Sequence, residues 1–124
     1  MQVEPRIAIG ILNGYPRASR ENFDASGVGH PHDLFRDFLA RRLPAAAVDV
    51  LFVADPEQHL PEGAALANYD GFIWTGSDLT IYHEDDARVT RQIALARTIF
   101  AAGVPMFGSC WGVQMAAVAA GGAV

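Results

Sequence analysis

The sequence contains no lysine and a single cysteine, Cys110. One cysteine excludes an internal disulfide framework, so the fold must rest on a packed core, and it fits a reducing compartment. All nine basic side chains are arginines, scattered along the chain and set against 14 acidic ones. The resulting net charge of −5, with no basic run, argues against nucleic-acid binding. Long apolar runs are also missing, so no segment reads as a membrane span. Met1 to Arg6 carry charge and proline where the apolar stretch of a signal peptide would begin. A soluble, cytoplasmic protein is the expectation. Internal repeats, linkers and low-complexity stretches are absent, which leaves one domain.

What the chain does have is apolar content. Hydrophobic residues make up 51% and charged residues 19%, with a mean hydropathy of +0.15. At 124 residues that suffices for a core, and it suits an α/β protein whose parallel sheet is covered by helices.

Ile7 to Leu12 reads as a strand, apolar on both faces and therefore central. Asn13-Gly14-Tyr15-Pro16 has turn chemistry. Arg17 to Gly29 is polar and reads as a loop leaving the carboxyl end of that strand, the edge where open α/β sheets bind ligands. Pro31 to Leu43 reads as an amphipathic helix with Leu34, Phe35, Phe38 and Leu39 as its apolar stripe. Val48 to Val53 and Gly71 to Trp74 read as strands, with a short helical turn at Leu66 to Tyr69 between them. Asp85 or Asp86 caps a helix that runs to Ala102, with an apolar face of Val89, Ile93, Ala96 and Phe100, and Gly103 stops it. Val104 to Phe107 is a fourth strand, and an Ala-rich helix follows to Gly121-Gly122. This alternation predicts parallel strands joined by crossovers, a three-layer, doubly wound, flavodoxin-like sheet.

Gly108-Ser109-Cys110-Trp111-Gly112 lies between the fourth strand and the last helix. A thiol at the tip of a strand-to-helix turn, with glycine on both sides, is the G-x-Nu-x-G elbow with cysteine in place of serine. The residue at the tip strains its own backbone, and the glycines let the flanking chains pass close. The sulfur then faces a helix N-terminus, whose free N–H groups and dipole attract negative charge. A cysteine packed as a small hydrophobe is the plainer reading of the same residues.

Gly108-Ser109-Cys110-Trp111-Gly112-Val113-Gln114 resembles the G-x-C-x-G-x-Q nucleophile motif of class I, triad-type glutamine amidotransferases. Thr75-Gly76-Ser77-Asp78 stands where that family has a G-G-P-like turn, with Ser77 for the second glycine and Asp78 for proline. With the following Leu79-Thr80-Ile81-Tyr82, it is similar to a GMP-synthase-like subgroup. The resemblance runs from about Ile7 to Val124. It implies that Cys110 is the nucleophile and that the backbone N–H groups of Ser77 and Trp111 form the oxyanion hole. It further implies that Gly76 and Gln114 seat the substrate. Read from the residues alone, the T-G-S-D stretch is an ordinary turn and Gln114 a helix-surface side chain. The implied reaction is glutamine hydrolysis through a γ-glutamyl thioester, with ammonia passed to an accepting synthetase. No cofactor or metal is implied, and assembly is left open, a homodimer included.

The family's triad is Cys-His-Glu, its last two members in an H-x-E-type motif after the elbow helix. His30, His32, His59 and His83 all precede Cys110, and none lies in such a pattern. His83-Glu84 reads as a solvated loop pair, and His30 and His32 as helix-start residues without further metal ligands at suitable spacing. Residues 1–124 are therefore expected to be the N-terminal part of a class I domain, with the sheet incomplete at its C-terminal side. The alternatives are a γ-glutamyl compound hydrolase, another cysteine-elbow hydrolase of the PfpI type, or a catalytically silent flavodoxin-like module. The 124-residue chain assayed alone is expected to release negligible ammonia from glutamine, and robust turnover would place the general base within these residues.

Overall fold

The computed structural model describes residues 6–124. Met1 to Pro5, on which the signal-peptide reading mainly rests, lie outside the described residues. Four strands, β1 (Ala8–Asn13), β2 (Ala47–Phe52), β3 (Gly71–Trp74) and β4 (Met106–Gly108), form one sheet in the order β2-β1-β3-β4. Every pairing is parallel, and β1 lies inside the sheet as its two apolar faces require. Four α-helices connect or follow the strands: α1 (Arg17–Ser26), α2 (Pro31–Arg42), α3 (Ala87–Ala102) and α4 (Trp111–Ala119). A 3-10 turn, Gly63–Asn68, precedes β3.

The expected loop at 17–29 is largely helix. α1 has only three apolar residues, Ala18, Phe23 and Ala25, too few to read as an apolar stripe. Phe23 packs edge-on against Tyr15, and a polar contact ties the helix down. Arg20 reaches from α1 to form a two-pronged bond to Asp55 (2.9 and 2.6 Å), and its guanidinium stacks over Phe52 at 4.3 Å. Gly27, at φ 71°, then ends the helix in the left-handed conformation that glycine adopts without penalty.

The two faces of the sheet are covered unequally. Gly10, Leu12, Phe72, Trp74 and Met106 share one face by register and alternation. On that side α3 and α4 complete a core containing Leu12, Phe72, Trp74, Val89, Leu95, Ala96, Ile99, Trp111 and Met115. The buried stripe of α3 is Val89, Gln92, Leu95, Ala96 and Ile99, not the stripe through Phe100. Phe100 is 54% exposed. The spacing 89, 92, 96, 99 is helical, but its second member is polar and drops out of a purely apolar count.

On the opposite face α2 packs against β1 and buries Leu39. It stops short of β3 and β4. Leu34 (71% exposed), Phe38 and Phe107 remain open and, with Pro31, Phe35 and Ile73, line an apolar groove. Of the expected α2 stripe, only Leu39 is fully buried. β4 and β2 are the edge strands. No helix among the described residues is long and apolar enough to cross a membrane.

At the carboxyl end of β1, Asn13 is fully buried and its side-chain oxygen accepts from the Tyr15 N–H at 2.9 Å. Its amide nitrogen is therefore the donor to His32 Nδ1 at 2.9 Å, which requires a lone pair there and hence a neutral ring. Burial holds the His32 pKa below its usual value, and Arg20, Arg36 and His30 add to this against the opposing charge of Asp33. A lowered folded pKa means the unfolded chain binds the proton more readily. The contribution of His32 to stability is thus complete above about pH 6.5 and falls away as pH drops through the unfolded and then the folded pKa. Urea unfolding of the full-length chain should show this fall, and His32→Gln should flatten it.

Candidate active site

β4 ends at Gly108, and two residues later the chain turns into α4 through Cys110. Cys110 has φ 54° and ψ −104°, the only non-glycine residue with positive φ among the described residues. Such a backbone costs a side-chain-bearing residue about 1–3 kcal/mol, and surrounding contacts must enforce it. The two glycines supply those contacts. A Cβ on Gly108 would lie 2.4 Å from the backbone carbon of Gly112, and one on Gly112 would lie 2.7 Å from Trp74 Cβ. Strand β4 and the first turn of α4 therefore touch backbone to backbone, and that turn lies against Trp74 at the end of β3, with no room for a methyl group at either glycine. The thiol is thrown outward, and Cys110 is exposed. This excludes the reading of a cysteine packed in the core.

The strand register brings the T-G-S turn to the same place. Trp74 pairs with Gly108, so Thr75 to Ser77 leave β3 beside the point where Ser109 to Trp111 leave β4. The turn is tied to the loop after β1. The Thr75 hydroxyl accepts from the Gly14 N–H at 3.0 Å, and the Ser77 hydroxyl donates to the Gly14 carbonyl at 2.8 Å and accepts from the Leu79 N–H at 3.1 Å. Among the described residues, the backbone N–H groups of Ser77 and Trp111 donate to no protein acceptor. Trp111 opens α4, where free N–H groups are expected. Gly76 and Gln114 are both half-buried. Gln114 lies one turn past Cys110, where its N–H donates to the Cys110 carbonyl at 3.3 Å, and its side-chain amide bonds to no other described residue.

Three residues at the site were not singled out in the sequence. Gly14 is the knot between the two loops. Tyr15 lies over the turn, its hydroxyl 3.0 Å from the place a Gly76 Cβ would occupy. Burial raises the Tyr15 pKa, and negative charge at Asp78 and Cys110 raises it further, so the phenol stays protonated. Gln92 accepts from the Trp111 indole N–H at 2.8 Å. Asn13-Gly14-Tyr15 at the carboxyl end of a central strand was the available signal for the first two. Gln92 left none beyond its helical spacing.

The histidines do not converge on the thiol. His32 bonds to Asn13, His30 to Asp24, and neither His59 nor His83 makes a hydrogen bond to Cys110 among the described residues. Nor do the described residues contain a cluster of three or more side chains able to hold a metal ion.

The strain at Cys110 has a measurable consequence. Glycine ordinarily destabilises relative to alanine, by roughly 0.5–1 kcal/mol. Here Cys110→Gly should instead be more stable than Cys110→Ala by about 1 kcal/mol, because only glycine relieves the backbone. Urea denaturation of the two variants in the full-length chain measures this.

The Peptidase C26 family model matches residues 37–124, from within α2 through the elbow. A Pseudomonas protein, gamma-glutamyl-L-1-hydroxyisopropylamide hydrolase, is 39% identical over 121 residues, covering 96% of this chain and 39% of that protein. The crystal structure of a glutamine amido transferase from Methylobacillus flagellatus superposes with a TM-score of 0.62 at 25% identity, covering 94% of this chain and 40% of that one. The chain thus spans about two fifths of the length of each relative. The fold is that of the glutamine amidotransferases, and the chain belongs to the Peptidase C26 family, a class I glutamine amidotransferase-like family.

Proposed function

We propose that the chain carries the nucleophilic half of a site that cleaves the side-chain amide of a γ-glutamyl group, with glutamine as the substrate. The observation that carries this reading is the exposed, strained Cys110 beside two backbone N–H groups without protein acceptors. In this mechanism the Cys110 sulfur attacks the amide carbon. The carbonyl oxygen takes the negative charge and is held by the N–H groups of Ser77 and Trp111. The C–N bond breaks, the nitrogen leaves with a proton as ammonia, and a γ-glutamyl thioester remains. Water then attacks the thioester and releases glutamate and the free thiol. Gly76 and Gln114 seat the glutamyl portion. The unbonded Gln114 amide, one turn from the thiol, supports that role.

The proton must move to and from the sulfur and the leaving nitrogen. No histidine among the described residues is placed for it, and the chain spans only about two fifths of its relatives' lengths. We assign the transfer to a His-Glu pair outside these 124 residues, which form the cysteine-bearing N-terminal part of the domain. The T-G-S turn with Tyr82 supports a place in the GMP-synthase-like subgroup. The products would be ammonia for a partner synthetase, in the cytoplasm, where an exposed thiol stays reduced.

A second reading is favoured by one finding, the 39% identity to a hydrolase of a γ-glutamyl amide. There the same steps release a substituted amine to solvent, and no synthetase is needed.

A chloroketone analogue of glutamine should label the full-length chain on Cys110, and Cys110→Ser should abolish labelling by mass spectrometry. Competition then separates the readings. Glutamine protecting better than N-alkyl γ-glutamyl amides supports amide transfer, and the reverse order supports the hydrolase. Labelling elsewhere than Cys110 would overturn both.

A further inference from the structure

Gln92 is a neutral amide with no exposed surface, in the middle of the stripe that α3 presses against the core. Burying an amide is costly unless its hydrogen bonds are made, and here both ends are used. Its oxygen accepts from the indole N–H of Trp111 at 2.8 Å. Its nitrogen donates to the Arg88 carbonyl at 2.9 Å and, more weakly, to the Gly14 carbonyl at 3.4 Å. Gly14 has no space to spare, since a Cβ there would stand 2.9 Å from the Trp111 ring and 3.0 Å from the Gln92 oxygen. The Gly14 carbonyl also receives the Ser77 hydroxyl.

One amide therefore reaches both residues of the oxyanion hole, Trp111 directly and Ser77 through Gly14. It holds Trp111 by its side chain, and it holds Ser77 through the carbonyl they share. We propose that Gln92 is a positioning residue that sets the separation of the Ser77 and Trp111 N–H groups, and with it the fit of the hole to a developing oxyanion. This rests on the assignment of those N–H groups above. The role needs an acceptor and a donor on one uncharged side chain. Methionine of similar length supplies neither, and glutamate supplies an acceptor but no donor for Gly14.

The test compares wild type and Gln92→Met in the full-length chain, using the chloroketone glutamine analogue and iodoacetamide. Attack on the ketone builds an oxyanion, whereas direct displacement on iodoacetamide builds none. Gln92→Met should lower the maximal labelling rate by the chloroketone about tenfold or more, as loss of oxyanion-hole alignment does. The half-saturating concentration should change less than twofold, and the iodoacetamide rate at Cys110 should be unchanged. If Gln92→Met does not fold, Gln92→Leu, smaller and equally without donor or acceptor, should give the same split. Equal chloroketone rates in wild type and a folded variant would overturn the proposal, as would parallel loss with both reagents. Failure of the wild type itself to react with the chloroketone, while iodoacetamide still does, would instead overturn the proposed function.

Discussion

The close approach of three backbone segments governs this molecule. Gly108, Gly112 and the end of β3 at Trp74 meet at distances that admit no side-chain carbon. Because β3 and β4 are hydrogen-bonded neighbours in fixed register, that contact cannot slide. The residue between the glycines has one way to turn, and it is a conformation that L side chains avoid. Packing on the α3–α4 face supplies the free energy that keeps it there, through Trp74, Trp111 and Met115, all buried. The core and the site are thus one construction: the helix that buries Trp111 and Met115 is the helix that presents the thiol and the free N–H of Trp111.

The loops at the carboxyl edge are fixed by polar rather than apolar contacts. Gly14, Thr75, Ser77 and Gln92 form a connected set in which each polar side chain has a partner. A buried network of this kind favours one arrangement over near alternatives, since a slip leaves a donor or acceptor unpaired. Arg20 and Asp55 do the same for α1. The opposite face is built differently. There α2 lies over β1 and touches β2 through His32 and Phe52, and the apolar surface of Ile73 and Phe107 has no helix over it among the described residues.

Much of this was legible in the sequence because it is local and steric. A strand, a G-x-C-x-G turn and an Ala-rich helix can close in few ways, so Cys110 and its flanking glycines were read correctly as an exposed elbow. The parallel sheet followed from alternation alone, with β1 and β2 each displaced by one residue and β4 beginning at Met106 rather than Val104 and ending one residue later. What escaped notice depends on partners remote in sequence. α1 carries only three apolar residues, and its anchor, Asp55, lies 35 residues from Arg20. Gln92 interrupts an apolar stripe, so counting hydrophobic residues moved the face of α3 towards Phe100. The amphipathic stripe of α2 was real, but periodicity reports which face is apolar and not whether another element covers it. The order and spacing of the T-G-S turn, Cys110 and Gln114 carried the family resemblance, and the family match bears it out. Their individual roles rest on the proposed mechanism.

The most direct measurement is a crystal structure of the full-length chain carrying the glutamine-derived chloroketone adduct. The account predicts a covalent bond to the Cys110 sulfur, with the former carbonyl oxygen about 2.7–3.1 Å from the backbone N–H groups of both Ser77 and Trp111. An adduct whose oxygen points to solvent, or lies against other donors with the Ser77 N–H turned away, would contradict it.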